Sequence, residues 1–514
     1  MAPSERTVIL SGTVVDGFGG GTFAGDLLIA DGRVEAVVPV AARPSAGYDA
    51  HPVDAAGAIV APGFIDIHAH SDLTRFEYPG AESRITQGIT TEVIGNCGMS
   101  AAPTGGDTAG LASVIGTIDV TPQTPRPWAS TRQWLDALDE AESAANVAAL
   151  VGHGSVRHAV APGTPGALDP GQLRAMRAEI ADALDAGCAG VSLGLMYAPG
   201  ESAGEQELRA VSQAASDAGA LVAVHLRDYD ARALADSLGE AAAISSGASL
   251  QLSHLRATRS DGRFGEVIEH VERMRATQDV AADCYPYIAG HTTLLQLLPP
   301  ALRAGGTEAA MTATSAELAA ALRASGWDAG RILVMKASRT PDAVGVCAAA
   351  QPDPWAWLAE LLRANDALVD VAVESGAWED VDLALATDWV TIGSDGTSLS
   401  PAHRSSAPHP RSWGTFPEAF RRMRAQGVGL AAAVRRMSVD SAARVGLRSG
   451  LRAGMPADVV VFAEDELGSP ATFAQPALPA TGICDVFVNG VRVLDGGRTT
   501  SARPGRLRRR ERAA

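Results

Sequence analysis

Short apolar segments alternate with alanine-rich helical segments through the long middle of the chain, and this alternation restricts the possible folds more than any other feature. Residues 221–225 and 250–254 have the length and apolar content of buried strands. Helical patterns occupy residues 173–186, 205–218 and 231–246. Repeated strand–helix units indicate a parallel sheet, and the size of the region suits an eight-stranded barrel with insertions. We therefore predict an α/β fold built on a TIM-type (β/α)8 barrel.

Both ends of the chain carry short β-strand patterns instead. An Asp31-Gly32 pair near the start and an Asn489-Gly490 pair near the end each separate two apolar segments, as in a hairpin turn. Because the two β-rich regions bracket the barrel region, we expect them to form one small sheet domain together. The basic run at residues 503–512 is expected to be a solvated, flexible tail.

The composition limits the classes of partner. Of 514 residues, 46% are hydrophobic, which is enough for a large core. The net charge of −17 argues against nucleic acid or an anionic membrane surface as partner. The five scattered cysteines form no CxxC pair, and we see neither a signal peptide nor an apolar run of about 20 residues. We expect a cytoplasmic protein without a membrane partner; a homo-oligomer is compatible with the sequence.

Residues capable of catalysis or metal binding recur where the predicted strands end. His68 and His70 follow an apolar segment and are two residues apart, so their side chains lie on one face of an extended chain. Four further residues stand at the ends of other predicted strands: Cys97, His225, His254 and Asp395. Because a barrel places its active site where the strands run into the following loops, we expect these side chains to converge.

Each of these residues also has an ordinary structural interpretation. A lone cysteine is most often a small core residue, a lone strand-end histidine is most often a satisfied polar group, and aspartate before glycine usually marks a turn. Their joint occurrence favours a metal site, and imidazole with thiolate is the ligand set that zinc prefers. We expect Cys97, His225 and His254 to hold one ion tightly, and His68 and His70 to complete a second, weaker position that shares Cys97.

Segments 62–72 and 88–98 resemble the amidohydrolase superfamily, and most closely its N-acyl-D-amino-acid deacylase (D-aminoacylase) family. The resemblance covers nearly the whole chain, and Cys97 is its most specific element. Further matching segments are 151–154, 190–195, 253–255, 283–287, 409–416, 438–446 and 454–458. Many superfamily members carry a carbamylated lysine or a glutamate in the metal centre. Segment 190–195 contains neither, and Lys336 is the only lysine, which favours the cysteine-containing branch.

The resemblance implies a zinc-dependent barrel joined to a small β-sandwich, with Asp395 as the catalytic aspartate. Zinc would activate a water molecule and polarise an amide carbonyl, while Asp395 takes the proton and returns it to the leaving amine. The substrate would be an N-acyl-D-amino acid or a close relative. The predicted division is residues 1–60 and 449–502 for the β-sandwich, 61–448 for the barrel, about 288–350 for a lid-like insertion within it, and 503–514 for the tail.

The same resemblance makes Arg411 the candidate for binding the substrate carboxylate, because guanidinium pairs bidentately with carboxylates. Tyr285 or Tyr287 would assist it, and Arg256 stands where relatives have a lysine. His153, in a Gly-His-Gly turn, is interpreted as structural. Two other functions stay open at this point. One is a cyclic-amide hydrolase of the dihydropyrimidinase or dihydroorotase type, and the other is a non-catalytic scaffold derived from such enzymes.

Overall fold

The computed structural model describes residues 6–108, 110–111, 128–164, 166–303, 306–403 and 406–511. We number its strands in chain order. The strands before the barrel are β1 (Thr7–Val15), β2 (Thr22–Ala30), β3 (Arg33–Pro39), β4 (His51–Asp54) and β5 (Ile59–Pro62). The first seven barrel strands are β6 (Phe64–Asp66), β7 (Ile89–Ile94), β8 (Asn146–Gly152), β9 (Gly190–Gly194), β10 (Leu221–His225), β11 (Ser249–Leu252) and β12 (Val280–Cys284). An insertion follows, which holds β13 (Ala289–Thr293), β14 (Ile332–Ala337) and β15 (Val369–Glu374). The eighth barrel strand, β16 (Val390–Ile392), comes after the insertion. The last strands are β17 (Val459–Phe462), β18 (Ile483–Val488), β19 (Val491–Asp495) and β20 (Arg498–Thr499).

Strands β6 to β12 and β16 run parallel in the order β16-β12-β11-β10-β9-β8-β7-β6. The two outer strands meet beyond their carboxyl ends, where the Asp395 N–H donates to the His68 carbonyl at 2.7 Å and the His70 N–H donates to the Gly396 carbonyl at 2.8 Å. These hydrogen bonds close the barrel between β6 and β16, at the end where the polar residues follow the strands. The prediction of a TIM-type (β/α)8 barrel is confirmed.

The barrel strands are buried on both faces because helices cover the outside of the sheet. The longest of these helices, Pro170–Ala186, begins at an Asp169–Gln172 capping box and ends at Gly187, whose φ of 111° suits a left-handed helix end. The helices of the barrel region are Thr74–Glu77, Glu82–Ile85, Thr131–Glu140, His153–Val160, Pro170–Ala186, Glu205–Asp217, Leu234–Ile244, Phe264–Arg275, Trp378–Ala386, Arg411–Ala425, Leu430–Met437 and Val439–Arg444. Within the described part of the chain, no helix has the length and apolar content needed to cross a membrane.

The two ends of the chain form one small β domain, as predicted. Hydrogen bonds join its strands into a single sheet, in which β5 from the first half pairs antiparallel with β17 from the second. Both predicted hairpin turns are present. Asp31 and Gly32 have φ of 52° and 72°, and Asn489 and Gly490 have φ of 49° and 80°. Positive φ at both central residues gives the turn the twist that flanking strands need.

The insertion between β12 and β16 has a hydrophobic core of its own, in which Leu318, Leu358 and Val371 are fully buried. Its strand β15 pairs antiparallel with both β13 and β14. Because β15 is the central strand of this sheet, the insertion continues past residue 350, where the sequence suggested its end. Its helices are Pro300–Arg303, Gly306–Thr312, Ser315–Ala324 and Pro354–Ala364.

The prediction of a flexible basic tail is wrong for residues 503–511. Leu507 is buried and forms an isolated parallel β-bridge with Val147. The Arg508 N–H donates to the Val147 carbonyl at 2.7 Å. The Arg508 guanidinium lies 3.0 Å from Asp458, and Arg509 lies 3.0 Å from Asp139. A basic run looks solvated in the sequence because its carboxylate and carbonyl partners come from distant parts of the chain.

Candidate metal centre and active site

The ends of five barrel strands bring the predicted metal-binding and catalytic residues together, and His68 and His70 follow β6. His225 is the last residue of β10, while Cys97, His254 and Asp395 each lie two or three residues beyond a strand. The latter three have left-handed backbone conformations, with φ of 54°, 34° and 52°. Such conformations cost a non-glycine residue about 1–3 kcal/mol and concentrate at functional sites. The chain therefore accepts local strain where it turns these side chains toward one another.

The Cys97 sulfur lies at the centre of the group. Its Sγ is 3.3 Å from His68 Nε2, 3.4 Å from His225 Nδ1 and 3.6 Å from His254 Nε2. All four side chains are buried. The structure thus brings one thiol and three imidazoles from four strand ends into contact.

Asp395 and His70 extend this group on one side. The Asp395 Oδ1 lies 3.0 Å from His70 Nε2 and 3.5 Å from His68 Nε2. Two sets of potential ligand atoms result, one of His68, His70, Cys97 and Asp395 and one of Cys97, His225 and His254, each within 4.8 Å. The two sets share the Cys97 sulfur.

The buried charges shift the protonation of the site. Burial alone would raise the pKa of the Cys97 thiol, but the neighbouring imidazoles of His68 and His225 hold that pKa well below its usual value. Burial lowers the pKa of His225 to about 4, so this imidazole is neutral. Burial also disfavours charge on His70, but its hydrogen bond to Asp395 raises the His70 pKa to about 9. The low pKa of Cys97 favours its thiolate form and the low pKa of His225 favours a neutral imidazole, and these are the forms that bind a metal.

The donor set suits a transition-metal ion such as zinc. Thiolate and neutral imidazole are zinc's preferred ligands, and catalytic sites of this kind leave a coordination position open for water or substrate. The nitrogens that face the site are His225 Nδ1, which lies 3.4 Å from the Cys97 sulfur, and His70 Nε2, which lies 3.0 Å from Asp395 Oδ1. Cys97, His225 and His254 would hold one ion, and His68, His70 and Asp395 would complete a second position.

A cavity of about 440 Å³ opens directly above these residues, within the size range of small-molecule sites. Asp395, His225 and His254 line its inner end. Arg256 and Tyr285 also line it, and Arg256 donates to the Tyr285 hydroxyl at 2.6 Å. The insertion contributes both apolar residues, Leu297, Leu298, Pro299, Ala321, Ala324 and Trp327, and polar residues, His291, Thr292, Gln296, Arg303 and Ser325, to the lining.

Two predicted substrate-binding residues occupy positions that differ from expectation. Arg411 donates to the Asp395 Oδ2 at 2.6 Å, and its guanidinium lies 5.2 Å above the Tyr285 ring, so it contacts the catalytic candidate itself. Tyr287 is not among the residues that line the cavity, and its hydroxyl lies 3.5 Å from the Pro410 carbonyl, so its role in substrate binding stays a prediction. In a continuing strand, residues 285 and 287 would point to the same face. Strand β12 ends at Cys284, so this rule does not place the side chain of Tyr287 beside that of Tyr285.

Sequence reasoning missed two residues of the site. The ring of Tyr197 packs 4.6 Å from the His225 ring and lines the cavity, but no periodic pattern marks its loop. Asp283 lies beneath His68, and only the resemblance pointed to its segment. His153 lies 2.7 Å from Glu207 and contacts none of the ligand candidates named above, which agrees with its structural interpretation.

Comparison with known proteins supports the same family. The model of the amidohydrolase family matches residues 52–333. An N-acyl-D-aspartate deacylase from Alcaligenes xylosoxydans xylosoxydans is 35% identical over 98% of this chain and 95% of its own length. The structure of N-acyl-D-glutamate deacylase from Bordetella bronchiseptica, complexed with zinc and a phosphonate inhibitor, has a TM-score of 0.83 and 31% identity, covering 99% of this chain and 100% of that one.

A dihydropyrimidinase from Brevibacillus agri shares the fold with a TM-score of 0.59, 15% identity and 99% of each chain covered. At that identity the likeness concerns architecture alone. The linear-amide deacylases, in contrast, match in sequence and structure over nearly the full length. The chain therefore belongs to the amidohydrolase family and, within it, to the metal-dependent N-acyl-D-amino-acid deacylases.

Proposed function

We propose that this protein hydrolyses the amide bond of N-acyl-D-amino acids with zinc as its metal, releasing a carboxylate and a free amino acid. The observation that carries this proposal is the contact of Cys97 with the imidazoles of His68, His225 and His254 beside Asp395, at the inner end of a cavity. The zinc and D-amino-acid parts are supported by the names of the relatives.

The metal-binding roles follow from the chemistry of the donors. Cys97, His225 and His254 would hold the principal zinc ion, with His68 and His70 at a second, weaker position. When bound, the metal would polarise the amide carbonyl and lower the pKa of a coordinated water. The fully buried imidazoles exclude bulk solvent from the reacting atoms, which strengthens every electrostatic interaction there.

Asp395 is proposed to take the proton from the attacking water and to deliver it to the leaving amine. Burial alone would raise the pKa of this carboxyl, but the Arg411 guanidinium and the nearby imidazoles hold it well below its usual value. Asp395 is therefore ionised and able to accept a proton at neutral pH. Its place at the cavity's inner end leaves it accessible to substrate.

Arg256 and Tyr285 are proposed to bind the carboxylate of the substrate. They line the cavity together, and among the described residues the Arg256 guanidinium donates hydrogen bonds to two neutral groups, the hydroxyls of Tyr285 and Ser375. A substrate carboxylate would supply the missing negative charge. Arg411 would assist from behind Asp395, where its charge both orients that residue and attracts the same carboxylate.

The test is amine release from a panel of N-acetylated D- and L-amino acids, with dihydrouracil as a cyclic-amide substrate and a metal chelator in parallel samples. We expect turnover of D-configured substrates that chelation abolishes and zinc restores. Turnover confined to dihydrouracil would favour the cyclic-amide alternative. Full activity after metal removal, or none with any substrate, would contradict the proposal.

A further inference from the structure

Asp283 occupies a position between two of the proposed metal ligands. It lies in strand β12 and is only 1% exposed. Its Oδ1 accepts the backbone N–H of His254 at 2.8 Å and lies 3.2 Å from Nδ1 of His68. The opposite ring nitrogen, His68 Nε2, faces the Cys97 sulfur. The Asp283 Oδ1 therefore contacts both the side chain of His68 and the backbone of His254.

The carboxylate is itself held in place from below. Gln251 donates from its side-chain amide to Asp283 Oδ2 at 3.1 Å, and Gln251 Oε1 accepts from the Arg444 Nε at 3.3 Å. This chain of contacts runs from the helix Val439–Arg444 to the strand ends. A buried carboxylate with fixed partners on both oxygens keeps one orientation.

Gly393 allows the close contact between His68 and Asp283. A Cβ at this position would lie 2.5 Å from the His68 Cβ and 2.9 Å from the Asp283 Oδ1. The His68 Cβ is next to the backbone, and the Asp283 Oδ1 is held by the backbone N–H of His254, so neither atom can readily move away. The absence of a side chain at residue 393 thus leaves room for the imidazole and the carboxylate to meet.

We propose that Asp283 is a positioning residue for the metal centre, which fixes His68 with Nε2 toward the metal and holds the strained backbone of His254. The inference rests on the metal centre proposed above. His68 Nδ1 forms no well-aligned hydrogen bond to any described residue, and Asp283 is the charged group beside it. A carboxylate on the outer nitrogen of a ligating histidine fixes its tautomer and orientation, and removing it typically lowers metal affinity about 10–100-fold.

The test compares zinc affinity of the full-length wild type with that of Asp283→Asn, by competition with a chromophoric chelator. Asparagine keeps the shape and can still accept the His254 N–H, so folding should be retained. We expect zinc affinity at the second position, which His68 helps to form, to fall about 10–100-fold. We also expect the visible spectrum of the cobalt-substituted protein to shift, a change that a purely structural role would not cause.

Glu207→Gln is the matched control, because Glu207 is also a buried carboxylate that contacts a histidine, His153, at 2.7 Å. It should change thermal stability without changing zinc affinity or the cobalt spectrum. If Asp283→Asn does not fold, Gln251→Leu, which frees Asp283 Oδ2, should lower zinc affinity by a smaller factor. Unchanged zinc affinity in the folded Asp283 variant overturns the inference alone. Failure of the wild type to bind zinc overturns the proposed function instead.

Discussion

The two ends of the barrel use their polar side chains in different ways. At the carboxyl end, the imidazoles of His225 and His254 surround the Cys97 sulfur, and His254 has a φ of 34°. At the amino end, two arginines of residues 503–511 have partners from distant parts of the chain. Arg510 donates to the Ala218 carbonyl at 2.6 Å and to the Gly219 carbonyl at 2.9 Å, and Arg508 pairs with Asp458.

This difference separates chemistry from stability. Strained groups cost folding free energy, and at the carboxyl end they place side-chain donor atoms where a metal and substrate could be bound. Satisfied charges at the amino end join segments that are distant in the chain. Barrels commonly divide their two faces in this way. Substitutions at the carboxyl end of the barrel should therefore change catalysis, and those at the amino end should change stability.

The largest effect is expected for Asp395→Ala. Loss of the proposed general base should lower kcat about 10²–10⁴-fold, while bound zinc remains because Cys97, His225 and His254 are untouched. Steady-state kinetics and metal analysis of the same sample measure both quantities. A variant with normal turnover would exclude the role assigned to Asp395.

The next largest effects are expected for substitutions of Arg256 and Arg411, and they distinguish which arginine binds the substrate carboxylate. Loss of a charge-assisted hydrogen bond of about 1.5–3 kcal/mol corresponds to a factor of about ten to one hundred. Arg256→Gln should raise KM by such a factor, because Arg256 lines the cavity. Arg411→Gln should instead lower kcat, because Arg411 contacts Asp395 at 2.6 Å. If Arg411→Gln changes only KM, Arg411 is the principal carboxylate-binding residue, as the sequence suggested.

A smaller effect concerns the pH dependence of metal binding. The contact with Asp395 raises the pKa of His70 to about 9, so His70 holds a proton at neutral pH in the metal-free protein. A metal must displace that proton. Affinity at the position that includes His70 should therefore rise with pH, by up to about tenfold per unit, and level off above about pH 9. Proton release during zinc titration in weakly buffered solution measures this, and binding at the His70 position without proton release would contradict it.

The amino end gives the smallest effect on catalysis. Leu507→Ala should destabilise the fold by about 2–5 kcal/mol, because Leu507 is buried, yet leave kcat/KM of the folded protein unchanged. Arg506→Ala is the control, since Arg506 is exposed and should change neither quantity. Thermal unfolding at a fixed scan rate, paired with kinetics, tests the division between the two ends. A loss of kcat/KM in folded Leu507→Ala protein would show that the ends are coupled.

Much of this site could be predicted from the sequence because it depends on local rules. His68 and His70 follow β6, and Cys97, His225, His254 and Asp395 stand at or just beyond the ends of other strands that point to one end of a parallel barrel.

The differences from expectation arose where tertiary contacts decide the outcome. Tyr287 is not among the cavity-lining residues, since β12 has already ended, and the insertion is longer than expected because β15 pairs with two earlier strands. The partners that order Leu507 and Arg508 are about 360 and 50 residues away in the chain, which no local pattern reveals.

The central claim is that the sulfur of Cys97 binds the catalytic metal, and X-ray absorption at the zinc edge of the loaded protein tests it most directly. We expect one sulfur at about 2.3 Å together with nitrogen or oxygen ligands at about 2.0–2.2 Å, and loss of the sulfur contribution in Cys97→Ala. A wild-type spectrum with nitrogen and oxygen ligands alone would contradict the account.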